Sequence, residues 1–315
     1  MTTFESTRTN DGGAGTGEWR FTSDHAEFAD RAGPFLRDDP ALHTVVLSIL
    51  EGMRAGEARF EGVTPRFGLW TDPGGRPAGY LMWTPPQRPY VSPLGDDAAE
   101  GLVAALDGLL DPGDKAPEEI GGPVEGAWAV ARAWRRSRPG GRVTQAEAQR
   151  LYRLGDLTPP DPAPPGRARV AGEDDRELLA DWFRRFHADV GEPPVDRGRA
   201  YRWADSRLSY GGVTLWETPD GHPVSMAGVT RRSAATVRVA PVYTPAPLRG
   251  KGYAAAATAE VSRAARADGA TQVLLFTDLA NATSNALYQR LGYRPVRDFT
   301  ILELKAQEGP SRPEQ

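Results

Sequence analysis

No cysteine occurs among the 315 residues. That excludes a disulfide framework, a thiolate metal site and a cysteine nucleophile, so any acyl transfer must be direct or use another residue type. Histidine is scarce. His25, His43, His187 and His222 are the four present, and no HxxxH or similar ligand spacing joins them, so no metal site is expected. No apolar run is long enough to span a bilayer, and the polar start MTTFESTRTNDGGAGTGEW lacks a signal-peptide stretch; the expected location is the cytoplasm. Excess positive charge is missing too. A net charge of −4 argues against a general electrostatic grip on nucleic acid.

What is present reads as an ordinary globular chain, 25% charged and 39% hydrophobic. Its length suggests two domains. The strongest boundary is LTPPDPAPPGRARV, Leu157 to Val170, where prolines exclude a helix interior or a central strand. The expected organisation is a tail at 1–18, a domain at 19–157, a proline-rich linker at 158–166, a second domain at 167–306 and a tail at 307–315.

Two echoes suggest that the domains are repeats. Gly68-Leu69-Trp70-Thr71-Asp72-Pro73-Gly74-Gly75 and Val213-Thr214-Leu215-Trp216-Glu217-Thr218-Pro219-Asp220-Gly221 both read as strand, Leu-Trp pair and turn. The second echo sets Ala148–Gly155 beside Asn285–Gly292 and brings Tyr152 near Tyr288, although Tyr152-Arg153-Leu154-Gly155 is one residue shorter than the later pattern. In the later half the pattern predicts an aspartate-capped helix over Asp174–Val190, helical residues around Tyr201, Trp203 and Tyr210, and then a hairpin. A strand at TVRVAPVYT, a helix after LRGKG, a strand at TQVLLFT, a helix at NATSNALYQRLG and a strand at DFTILEL follow. The fold class is α/β, with a mixed, mostly antiparallel sheet and flanking helices.

The turn LRGKGYA, Leu248 to Ala254, joins a strand to a helix. A helix N-terminus offers free N–H groups and a partial positive charge, and glycines let the backbone close on an anion. Arg249 and Lys251 add charge, and pyrophosphate is the natural guest. A P-loop is excluded because Gly252 follows Lys251. Gly250 to Ala255 formally satisfies a dinucleotide fingerprint, with Asp278 ending the next strand, but Pro245–Arg249 intervenes where the strand should lead straight in. A glycine-rich connection with no ligand is the remaining alternative.

Val242-Tyr243-Thr244-Pro245 running into Arg249-Gly250-Lys251-Gly252-Tyr253-Ala254 resembles the acyl-CoA pyrophosphate loop of the GNAT N-acetyltransferase superfamily, Q/R-x-x-G-x-G/A. The segment Asn281, Ser284, Asn285, Tyr288 at i, i+3, i+4, i+7 shares one helix face, and Gly292 and Tyr293 close it in the way of the family's N-x-x-S/A-x-x-x-Y-x-x-L-G-F/Y ending. The resemblance covers roughly 167–306. It implies two tandem GNAT-like domains with a splay between central strands, and Pro241 falls where a strand must bulge or splay. It implies acetyl-CoA as cofactor, held by Val242 to Thr244, Arg249 to Ala254, Asn281 and Ser284. Tyr288 is the implied acid for the leaving thiolate, and transfer is direct to a primary amine of a small molecule.

The sequence departs from the family on the strand before the loop, where a glutamate often serves as base and Arg238 stands instead. Base candidates are His187, Asp189, Glu192 and Glu217, or a water relay. Acceptor specificity is expected from Trp182, Phe186, His187, Tyr201 and Trp203. In the earlier half, Asp96, Asp97 and Glu100 occupy the place of the loop and would repel pyrophosphate. That half is therefore expected to be degenerate and to wall the acceptor site, with Trp128 and Trp134 packed and Arg135, Arg136 and Arg138 solvated. Two alternatives stand beside the acetyltransferase: aminoacyl transfer from charged tRNA, and a non-catalytic CoA-binding protein. A monomer is expected, with a dimer open.

Overall fold

The structure, a computed structural model, describes residues 17–57, 63–110 and 115–307. The two expected tails lie mostly outside the described residues, although Glu18 opens the first strand. The chain divides into two compact units that interleave along the sequence. One comprises Met1–Val46, Ala58–Gln149 and Arg297–Gln315; the other comprises Leu47–Glu57 and Arg150–Val296.

The elements are, in chain order, β1 (Glu18–Thr22), α1 (His25–Asp38), α2 (Thr44–Arg54), β2 (Arg66–Thr71), β3 (Pro77–Trp83), β4 (Tyr90–Val91), α3 (Asp96–Leu106), β5 (Glu119–Pro123), α4 (Val124–Ser137) and β6 (Arg142–Leu154). After the proline-rich segment come β7 (Arg167–Val170), α5 (Arg176–Asp189), α6 (Arg197–Leu208), β8 (Val213–Glu217), β9 (Pro223–Val229), β10 (Thr236–Tyr243), α7 (Tyr253–Ala267), β11 (Gln272–Asp278), α8 (Ala282–Arg290) and β12 (Tyr293–Lys305).

Each unit shows the same order of strands. In the first, β1-β2-β3-β4-β5 are neighbours and β12 follows; in the second, β7-β8-β9-β10-β11 are neighbours and β6 follows. In both, the fourth and fifth strands are parallel and the earlier pairs antiparallel. The duplicated Leu-Trp hairpin survives to the register. β2 and β3 slip between Trp70 and Thr71, and β8 and β9 slip between Trp216 and Glu217. Both turns close on a left-handed glycine, Gly75 at φ +77° and Gly221 at φ +85°, where a Cβ would be strained.

The second echo is overturned. Ala148 to Leu154 form the end of β6 and not a helix, whereas Ala282–Arg290 is α8. Sheet pairing on both sides outweighs the apolar spacing that reads as helical, as tertiary context commonly does. Tyr152 is fully buried in the core of the second unit. The aspartate cap of α5 also takes another form. Asp175 makes no side-chain bond to the helix but accepts from the Gly172 amide at 2.8 Å and from both ends of the Arg169 guanidinium. Residues 158–166 carry no regular element and pack within the second unit: the Thr158 amide donates to the Leu291 carbonyl at 3.0 Å, and Trp216 Nε1 donates to the Pro165 carbonyl at 3.3 Å.

The first unit's core joins Trp19, Leu81, Leu102, Val130, Trp134 and Leu302. Trp134 packs, and Arg136 and Arg138 pair with Glu100 and Asp107. The second unit has a core on each face of its sheet. One gathers Val237, Val239, Val273 and Leu275 under α7; the other gathers Leu215, Met226 and Tyr243 under α5 and α6.

Candidate functional site

Pro241 breaks the ladder of β10. It cannot donate, so the register with β9 jumps from Val239↔Val229 to Val242↔Ala227, three residues on one strand against two on the other. An extra residue reverses the alternation of side chains. Val237 and Val239 face α7; Tyr243, which would otherwise follow them, turns to the α5 and α6 side, and Val242 takes the α7 side. Gly228 permits the bulge, because a Cβ there would lie 2.8 Å from the Ala240 carbonyl oxygen. The partnership with β11 runs only over Thr236↔Gln272, Val237↔Val273 and Arg238↔Leu274. Past Arg238 the two parallel strands have no further registered pair among the described residues, so a gap opens between them.

The glycine turn stands at the mouth of this gap. A single 3-10 turn, Ala246–Leu248, brings the chain to Arg249. Gly250 and Gly252 both adopt left-handed conformations, φ +77° and +83°. Gly252 caps α7 with no side chain on the helix amides, and no acid stands in the first turn. The result is a run of backbone donors at the positive end of a 15-residue helix. Lys251 is exposed beside it, Tyr253 and Ala254 are half-buried, and Thr244 is buried, its hydroxyl 2.8 Å from that of Ser225. Arg249 is engaged from two sides. Its Nε donates to the Thr244 carbonyl at 2.9 Å, and its Nη2 pairs with Asp189 at the end of α5. Sequence reasoning named both residues without pairing them.

α8 follows β11 directly and carries the second group of expected site residues. Asn281 is its N-cap, the side-chain oxygen accepting from the Ser284 amide at 3.0 Å, so the amide nitrogen of Asn281 is what remains for a ligand. Gly292, at φ +98°, terminates the helix as expected, and a Cβ there would strike the Asp156 carbonyl. Tyr288 packs against the same core cluster as Val242, Leu248 and Tyr253. Its ring meets Tyr293 edge-on at 6.0 Å. Tyr293 is anchored through its hydroxyl to Ser262 at 2.7 Å; the Tyr288 hydroxyl has no hydrogen bond among the described residues. Burial alone pushes the Tyr288 phenol up to about 12.

The candidate bases separate. Glu217 is buried, paired with Arg169 and within 3.6 Å of Arg167. Asp189 is committed to Arg249. His187 is buried against Phe183 and Phe186, with Nδ1 2.7 Å from Glu192. Arg238 donates through Nη2 to Ser48 at 3.1 Å. Trp182 lies 5.8 Å from Tyr243, and Trp203 stacks on Phe183 at 4.4 Å, so these aromatics belong to the core under α5 and α6; Tyr201 bonds Arg197 and Glu177 at the surface.

The corresponding place in the first unit differs at every point. Gly95, before α3, has an extended φ of −73°, and Asp96 and Asp97 fill the first turn. α4 packs hard on the connection, since a Cβ on Gly126 would come within 2.1 Å of the Ser92 carbonyl oxygen. No helix among the described residues is long and apolar enough to cross a membrane, and no group of three or more metal-ligating side chains is found among them.

Residues 176–293 match the family model described as the acetyltransferase (GNAT) family. Among solved structures, the chain is similar to a GCN5-related N-acetyltransferase from Sphaerobacter thermophilus, with 18% identity and a TM-score of 0.61 over 93% of this chain and 97% of that one. It is also similar to a tandem GNAT protein from the clavulanic acid biosynthesis pathway, with 13% identity and a TM-score of 0.56 over 94% of this chain and all of that one. At these identities the likeness is one of fold, and it extends over both units. Comparison with curated proteins finds no match.

Proposed function

We propose, from the match of residues 176–293 to the acetyltransferase (GNAT) family model, that the second unit transfers an acetyl group directly from acetyl-CoA to the primary amine of a small molecule. The observation that supports this reading is the conjunction of an uncapped helix end on two left-handed glycines, a β10 that leaves β11 after Arg238 and bulges at Pro241, and Tyr288 packed on the same core cluster as Val242, Leu248 and Tyr253. The residues fit the cofactor. The amides of Gly252 to Ala254, with Arg249 and Lys251, suit a pyrophosphate. The edge of β10 at Val242 and Tyr243 suits an extended amide-bearing arm laid in as a pseudo-strand. When bound, acetyl-CoA supplies an activated thioester.

The chain's own groups then have definite tasks. Backbone donors at the splay stabilise the oxyanion as it develops. Tyr288, with its phenol near 12, stays protonated at every working pH. A thiol ordinarily titrates near 8.5, so the phenol serves the leaving sulfur chiefly as a hydrogen-bond donor. The amine must lose a proton before it attacks. Of the candidate bases, His187 suits this best: Glu192 holds its Nδ1–H and thereby leaves Nε2 as the acceptor nitrogen. In the first unit the extended Gly95, the acids of α3 and the packing of Gly126 oppose a second cofactor site.

The test is calorimetric titration of acetyl-CoA into the wild-type chain and Arg249→Glu. One site per chain, lost in the variant, together with thiol release in the presence of an amine panel, is the expected result. No binding heat from acetyl-CoA overturns the reading, and NAD and charged tRNA are then the ligands to test.

A further inference from the structure

α8 carries Asn281 and Tyr288, yet it is a poorly anchored helix. It has nine residues, and none of them is fully buried. So short a helix has little stability of its own and takes its position from what it packs against. Leu287 and Tyr288 rest on the core from one side. The remaining hold is polar. The Tyr152 hydroxyl, on the buried end of β6, donates to Asn285 Oδ1 at 2.8 Å and accepts from Gln289 Nε2 at 3.1 Å. Asn285 Nδ2 donates to the carbonyls of Asp278 and Asn281, both at 2.8 Å. One hydroxyl thus ties two turns of α8 to β6, and Asn285 extends the tie to the end of β11.

We propose that Tyr152 is a positioning residue for the acyl-transfer site, clamping α8 through Asn285 and Gln289 so that the Tyr288 hydroxyl is held at the gap. Tyr152 is not the vestige of a catalytic tyrosine that its sequence context suggested; it serves the helix that carries Tyr288. The buried Tyr152 hydroxyl meets half-buried Asn285 and exposed Gln289, every atom named is paired, and loss of the hydroxyl leaves the two amides to re-pair elsewhere. A shift of α8 by a fraction of a turn displaces the Tyr288 hydroxyl while the glycine turn, on another element, keeps its shape.

The inference rests on the acetyltransferase reading for its rate effect but not for its structural signature. The chain labelled with [13Cζ]tyrosine gives a Tyr288 signal identified by its absence in Tyr288→Phe. Tyr152→Phe, and independently Asn285→Ala, are expected to move that signal, to lower kcat about tenfold as a small misplacement does, and to weaken acetyl-CoA by less than they lower kcat, because the glycine turn is untouched and of the proposed cofactor contacts only Asn281 and Ser284 ride on α8. In a Tyr288→Phe background, Tyr152→Phe is expected to cost nothing further. A Tyr288 signal unmoved in both variants overturns the inference, as does a loss of kcat that multiplies with that of Tyr288→Phe. If the wild-type chain turns over no amine, the acetyltransferase reading fails on its own account. The Tyr288 signal then still decides whether Tyr152 sets the position of α8.

Discussion

At the scale of single residues, Tyr288 and Asp189 make opposite predictions. Tyr288→Phe removes one hydroxyl from a place where burial is the whole cause of its raised pKa. Binding of acetyl-CoA is expected to persist while kcat falls by roughly 10²-fold, the ordinary worth of one hydrogen-bond donor to developing charge; an unchanged kcat in thiol-release assays would remove Tyr288 from the reaction. Asp189 sits within ion-pair distance of Arg249 and is about as exposed. In the proposed complex its negative charge would oppose the pyrophosphate and hold the arginine proposed to bind it. Exposed pairs are worth about 0.2–1 kcal/mol, so Asp189→Asn is expected to tighten acetyl-CoA binding about two- to fivefold in low salt, with the gain shrinking as salt rises. Weaker binding would mean that Asp189 orients Arg249 more than it competes for it.

At the scale of elements, the turn before α7 depends on backbone conformation and not on side-chain bulk. A Cβ on Gly252 finds Pro164 no closer than 3.8 Å, so space is not the constraint; the φ of +83° is. Gly252→Ala is expected to cost about 1–2 kcal/mol of stability and, by tilting the first amides of α7, to weaken acetyl-CoA more than it lowers Tm. A variant with wild-type affinity would show that the amides are not the binding group. The same element shows how much was legible beforehand. Strand, turn, helix and the Pro241 bulge could be read from period and from the one residue that cannot donate. The Leu-Trp hairpins were readable because turn chemistry is local. The Tyr152 segment was not: its apolar spacing fits a helix, and only the strands on either side decide otherwise. The Asp189–Arg249 pair was hidden for the related reason that a 60-residue separation carries no local signal. The exchange of end segments between units is equally silent in sequence, since β12 and β6 pair far from their chain neighbours.

At the scale of the molecule, the two units share one topology, yet the first carries a liability of its own, His43. It lies 2% exposed between Phe35 and Tyr80, ring centroids 4.8 and 5.5 Å away, and its Nδ1 has no hydrogen-bond partner. Desolvation, the largest cause, pushes its pKa from 6.5 down to about 4; Asp39 and Asp38 oppose this and Arg297 adds to it. The neutral ring is therefore the form the fold accepts. Between pH 6.5 and 4 the unfolded chain binds a proton that the folded one refuses, so stability rises with pH over that window. The contribution is complete above 6.5, declines as the pH falls from 6.5 toward 4, and is gone below 4. A shift of that size corresponds to about 3 kcal/mol at most. Chemical denaturation at pH 7 and pH 4.5 is expected to show the wild-type chain losing about 2–3 kcal/mol that His43→Leu does not lose, because leucine has no proton to bind. Equal losses in the two proteins would place the acid sensitivity elsewhere and mean that His43 finds a partner for its charge within the fold.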